Sequence, residues 1–180
     1  MTDLVWVFGY GSLVWRPAMA FAARRAGRIE GWRRRFWQAS TDHRGTVEAP
    51  GRVLTLVEGD GAVWGMAYGI ERAAWPEIEA ALELREQGGY ARVEVEVGLA
   101  AGERAGAIVE HVTGLVYLAT SENPYYVGPE DLAATAEIVR RSHGPSGRNR
   151  DYVLALHDAL GAMDAHDPEV SALAELVRRG

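Results

Sequence analysis

The stretch RVLTLVEGDGAVWGMAYGI, residues 52–70, limits what this chain can become more than any other. Two apolar runs rich in β-branched and aromatic side chains flank Gly59, Asp60 and Gly61, a pattern that predicts a β-hairpin turning across the tripeptide. Further strands are expected at 4–8, 34–38, 90–97 and 108–118, each between glycine-rich turns. Helical spacing takes over elsewhere. Pro76 can open a helix whose stripe is Ile78 and Leu82 and whose stop is Gly88 with Gly89. Pro129 begins a second with Leu132, Ala136 and Val139 inside, and Asn149 is placed to cap a third carrying Val153, Leu156, Leu160 and Met163. A short last helix follows Pro168. Five or six early strands followed by mostly late helices lack the alternation of a doubly wound sheet, so the expected class is α+β. With 180 residues, 48% of them hydrophobic, the chain is expected to form one domain over 1–180.

Charge and missing residue types narrow the chemistry. A formal net charge of -6 argues against nucleic-acid partners and against acidic membrane surfaces. All 19 residues of the Lys+Arg total are arginine, and cysteine is absent. Schiff-base lysines, the lysine that ends a phosphate-binding P-loop, thiol nucleophiles, disulfides and iron–sulfur clusters are therefore excluded. The start MTDLVWVF contains an acidic residue and a short apolar run, unlike a signal peptide or a membrane span, so a cytoplasmic location is expected. Nothing in the sequence fixes an oligomeric state.

Two stretches carry candidate chemistry. In VFGYGSLVW, residues 7–15, Gly9 and Gly11 begin a dinucleotide-binding spacing, but Val14 stands where a third small residue belongs and Pro17 obstructs the helix that should follow. A strand with a glycine kink is a second reading. In a third, bare N–H groups around Gly11, Ser12 and Leu13 form a nest for an anionic substrate group. The other stretch is ALELREQGGY, residues 81–90. At about 100° per residue, Trp75, Ile78, Leu82 and Glu86 share one stripe, so Glu86 occupies an apolar position near a helix C-terminus. Desolvation and the helix dipole would both raise its pKa there, which suits proton transfer near neutral pH. An outward-turned or arginine-paired Glu86 fits the same pattern.

The motifs FGYGSLVW, RRRFWQASTDHRGT, PGRVLTL, REQGGY, NPYYVGP and GPSGRN follow one another over about residues 5–175, and this order resembles the ChaC-like glutathione-specific γ-glutamylcyclotransferases. The resemblance implies a small mixed β-barrel with flanking helices that cuts glutathione into 5-oxoproline and cysteinylglycine without metal or organic cofactor. It places the acid/base glutamate at Glu86, the substrate-binding loop at Tyr10, Gly11, Ser12 and Leu13, and a further substrate contact at Tyr126.

That chemistry suits a chain without cysteine or lysine. A γ-glutamyl group carries its own nucleophile, because its α-amine can reach its γ-carbonyl and close a five-membered lactam. The protein must supply a base, an acid for the departing amine and a clamp on the folded conformer. A noncatalytic module that senses a γ-glutamyl ligand, and a cyclotransferase for other γ-glutamyl peptides or amines, remain alternatives. The run RRRFWQ at 33–38 reads as a strand whose alternate arginines face solvent rather than as an RNA patch. Asp42 and His43, adjacent in sequence, are expected in a loop near substrate with their side chains diverging. Ser12 lacks the glycine that a nucleophile elbow needs two residues on, and the histidines lack zinc-ligand pairing.

Overall fold

The computed structural model describes residues 3–85 and 89–179. Five strands form a closed barrel: β1 (Leu4–Gly9), β2 (Ala23–Ser40), β3 (Gly51–Glu71), β4 (Ala91–Ala100) and β5 (Ile108–Leu118), in the order β1-β3-β2-β4-β5. Neighbours run antiparallel except at closure, where β1 lies parallel to β5 through Trp6↔Gly114 and Val7↔Leu115. The α+β class and the small mixed barrel agree with expectation.

The hairpin across 59–61 does not form. Residues 51–71 are one continuous strand, and β3 pairs with β2 from Ala23↔Gly69 to Ser40↔Gly51. A two-residue hairpin turn needs positive φ, but in this ribbon the glycine with positive φ is Gly31 on the facing strand, at 79°, and neither Gly59 nor Gly61 has it. Glu30 pairs with Ala62 and Trp32 with Glu58, so Gly31 alone opposes Gly59, Asp60 and Gly61. The glycines therefore mark a bulge that bends a two-stranded ribbon around the barrel. A second shift, between Arg35 and Gln38, sets Phe36 and Trp37 against Leu54.

Among the described residues four α-helices accompany the barrel: α1 (Trp75–Arg85), α2 (Leu132–Arg141), α3 (Asn149–Ala162) and α4 (Pro168–Arg179). A two-residue pair, β6 (His143–Gly144) with β7 (Gly147–Arg148), precedes α3. Leu82 of α1 is buried, with Trp75 and Ile78 packed half-buried against the core. Helix α2 starts three residues after Pro129, where the Asp131 carboxylate accepts from the Ala133 and Ala134 N–H groups at 3.0 and 3.1 Å. Asn149 is the first residue of α3 and does not cap it. Its carboxamide is spent on β3, accepting from Arg52 N at 2.6 Å and donating to Arg52 O at 2.8 Å. Val153, Leu156 and Leu160 of α3 and Val170, Leu173, Ala174 and Val177 of α4 are buried at helical spacing, the pattern of helices packed by one face. No described helix is long and apolar enough to cross a membrane.

Candidate active site

Strand β1 ends at Gly9, and the chain turns at once into a 3-10 turn, Ser12–Val14, closed by Val14 N–H to Gly11 O at 3.0 Å. No α-helix follows, which removes the dinucleotide-binding reading. Bare backbone is required here by close approach. A Cβ on Gly9 would lie 2.5 Å from Leu13 Cβ, so the turn can fold back only over a hydrogen. A Cβ on Gly11 would lie 3.1 Å from the Tyr152 hydroxyl. The turn is then fixed at both ends. Leu13 O accepts from the Tyr68 hydroxyl at 2.6 Å, and Tyr10 O accepts from Arg34 Nε at 2.9 Å. Tyr10 and Leu13 are themselves buried.

Beside this turn opens a cleft of about 520 Å³ whose wall includes Ser12, Gln38, His43, Arg44, Arg85 and Tyr90. It gathers the YGSL turn, the last residue of α1, the loop 41–50 and α3. Arg85 Nη2 donates to Ser12 Oγ at 2.7 Å, joining residues far apart in sequence. Glu86 lies outside the described residues. Arg85 and Tyr90, which flank its segment in sequence, both line the cleft.

The lining is cationic although the chain is acidic. Among the described residues the lining holds three arginines, Arg16, Arg44 and Arg85, and one carboxylate, Asp42. The Arg44 guanidinium lies over the Tyr152 ring, 5.6 Å from its centroid, and donates to Arg148 O at 3.3 Å. Burial pulls its pKa below the ordinary arginine value, and the Arg16 charge pushes the same way against Tyr152 and Asp151. Asp42 and His43 do not diverge as expected: Asp42 Oδ2 lies 3.8 Å from His43 Nε2, with Ser146 Oγ 3.1 Å from Nδ1. Both side chains are exposed and both line the cleft. Among the described residues no cluster of three His, Asp or Glu side chains could hold a metal ion.

Tyr10 and Leu13 support the cleft from behind, whereas Tyr126 turns to Trp37, edge on with centroids 6.4 Å apart. The tyrosine of NPYYVGP that lines the cleft is Tyr125. Sequence reasoning also passed over Arg34 and Gln38. Both are 2% exposed on the inner face of β2, on either side of the buried Phe36. The signal was present: a period of two counted from Phe36 puts 34, 38 and 40 on the same face. Arg33 and Arg35 do turn outward, but Arg34 is buried and paired with Asp167 at 3.0 Å.

Known proteins match this arrangement along nearly the whole chain. The family model described as ChaC-like protein matches residues 5–180. The human glutathione-specific γ-glutamylcyclotransferase 1 is 39% identical over 178 residues, covering 96% of this chain and 78% of the human one. The Saccharomyces cerevisiae glutathione-specific γ-glutamylcyclotransferase is 35% identical over 200 residues, covering 88% and 86%. A crystal structure of the yeast γ-glutamyl cyclotransferase specific to glutathione superposes with a TM-score of 0.91 at 32% identity, covering 98% of this chain and 96% of that one. With its glycine-bounded turn, its cleft and all but the first residue of its barrel inside the matched span, this chain belongs to the ChaC-like protein family.

Proposed function

We propose that this chain is a γ-glutamylcyclotransferase that converts glutathione to 5-oxoproline and cysteinylglycine. The observation that carries the reading is the meeting of Ser12 with Arg85, which brings the YGSL turn and the helix leading into REQGGY to one cleft. The names of the human and yeast relatives supply the substrate. Glutathione carries two carboxylates, and a cleft lined by three guanidinium groups suits them.

In the reaction the α-amine attacks the γ-carbonyl, the new C–N bond closes the lactam, and the bond to the cysteine nitrogen breaks. Two protons leave the attacking nitrogen, one from the α-ammonium before attack and one from the tetrahedral adduct, and two reach the nitrogen that departs as an ammonium; Glu86 carries them in turn, so no proton is gained or lost overall and no water is consumed. The Tyr10–Leu13 turn holds the γ-glutamyl group in its folded conformer, with Gly11 bare so that substrate can approach backbone. Tyr126 is assigned a supporting part through Trp37. Substrate, internal nucleophile and one carboxylate complete the chemistry, so no cofactor is needed. Cytoplasm is the fitting compartment, being where glutathione maintains the reducing poise.

Incubating the purified protein with glutathione in H₂¹⁸O tests this directly. Mass spectrometry is expected to find 5-oxoproline and cysteinylglycine in equal amounts with no ¹⁸O in either. Intact glutathione, or labelled glutamate from hydrolysis, would sink the reading.

A further inference from the structure

Gln38 is 2% exposed, sits on the cleft wall, and is a neutral polar side chain on a strand face otherwise turned to the core. Its amide orientation is fixed by its neighbours. Tyr125 N–H donates to Asn123 Oδ1 at 2.8 Å, so that atom is an acceptor, and the Gln38 atom 3.1 Å from it must be the donor Nε2. The carbonyl oxygen, Oε1, is thereby turned to the other side, and among the described residues it has no hydrogen-bond partner. A buried acceptor left without a donor is rare in folded proteins and commonly marks a functional position.

We propose that Gln38 Oε1 accepts a hydrogen bond from the α-ammonium group of the γ-glutamyl substrate. The assignment rests on the cyclotransferase reading above and extends it to a residue for the nucleophile. The guanidinium groups of the cleft suit the substrate's carboxylates but repel its one cation. That cation needs an acceptor, and it needs one away from bulk water, where the attacking nitrogen must lose its proton. A carboxylate in this place would hold the ammonium in its charged form. A carboxamide binds the group without adding a full negative charge, leaving the proton free to pass to the base. Once the amine is neutral, an N–H still held by Oε1 fixes where the lone pair points, which is what attack on the γ-carbonyl requires. Asn123 sets the carboxamide's direction, and so acts as a positioning residue.

The test compares two ligands across two variants. Glutathione and glutaryl-cysteinylglycine, which differs only in lacking the α-amine, are titrated into the wild type, Gln38→Leu and Gln38→Met by calorimetry. Both variants are expected to lose about 10- to 100-fold in glutathione affinity, as for a hydrogen bond to a charged group. Affinity for the glutaryl peptide should move by less than about threefold. The methionine variant keeps the side-chain length should leucine disturb packing around Asn123. Equal losses for the two ligands, or no loss for either, in a wild type that cleaves glutathione overturn this assignment alone. A wild type inert toward glutathione overturns it together with the reading on which it rests.

Discussion

Arg34 Nε donates at 2.9 Å to the carbonyl oxygen of Tyr10, so a guanidinium with almost no solvent exposure holds the first residue of the YGSL turn. The same group donates to Trp64 O and pairs with Asp167 Oδ2 at 3.0 Å. Burial lowers its pKa and Asp167 raises it again. Removing one partner leaves the other charge stranded. Arg34→Met is expected to cost about 3–5 kcal/mol of unfolding free energy by urea denaturation. Arg34→Met combined with Asp167→Asn should cost less than the two single changes added together. Strict additivity would show that the pair is not coupled.

Gly11 makes a steric prediction. The Cβ of alanine would press on the Tyr152 hydroxyl at 3.1 Å, and valine adds methyl groups in the same space. Gly11→Val is expected to weaken binding of a glutathione analogue by roughly 10- to 100-fold, the range of moderate overpacking, while thermal unfolding stays cooperative. Tyr152→Phe in the Gly11→Ala background removes the opposing oxygen and should recover affinity. Wild-type affinity in Gly11→Val would dismiss the close approach.

Glu86→Gln tests the proposed proton carrier. Glutamine keeps size and hydrogen bonding but cannot exchange a proton at neutral pH, so single-turnover rates should fall at least about 10²-fold with affinity for glutathione retained. Turnover within a few fold of wild type would remove Glu86 from the mechanism.

Glu130 predicts a pH dependence. Arg52 grips it by Nε to Oε2 and Nη2 to Oε1, both at 2.9 Å, and the Thr135 hydroxyl donates to Oε2 at 3.0 Å. Hydrogen bonding from Arg52 leads the effects that hold its pKa below the ordinary glutamate value. A carboxylate depressed in the folded state stabilises it above the unfolded-state pKa, and that contribution fades as pH falls through the folded-state value. Glu130→Gln should therefore cost roughly 1–3 kcal/mol near pH 7, and the gap from wild type should close on acidification. A gap that stays constant in denaturant melts from pH 7 to pH 3 would contradict this.

Chelation gives the simplest check on the mechanism. An internal amine nucleophile and a carboxylate acid/base need no Lewis acid, so turnover should survive exhaustive dialysis against EDTA. Activity lost and restored only by a divalent ion would contradict that chemistry.

Local pattern carried much of this structure, and its failures are physical. The helices announced themselves because a one-sided apolar face must recur at 3.6 residues, as Val153, Leu156 and Leu160 do on α3. The Gly59–Gly61 pair misled because a glycine permits a turn without requiring one, and what decides is long-range register against β2, which no short window contains. The YGSL turn was only half legible, because two glycines at a strand end suit a dinucleotide loop, a kink and a bare turn alike, and what decides is Leu13 folding back over Gly9. Arg34 and Gln38 share the face of Phe36 by the period of two, but a polar residue in a strand is ordinarily solvated, and only closure of the barrel turns this face of β2 inward. Asn149 has the residue type of a cap, but Arg52 claimed its carboxamide first.

Asp167 also has a place in time. Its Oδ1 accepts from the N–H groups of Glu169 and Val170, both at 3.1 Å, so the carboxylate that starts α4 is the one that holds Arg34 and, through it, Tyr10. On the ribosome the turn after β1 emerges early, yet its anchor cannot be completed until residue 167 has left the exit tunnel, on the order of ten seconds or more after the turn itself. Until then the Arg34 guanidinium has Tyr10 O and Trp64 O as acceptors but lacks its carboxylate. A message truncated before that codon would encode every motif gathered around the cleft and still leave the Arg34 charge without its counter-ion.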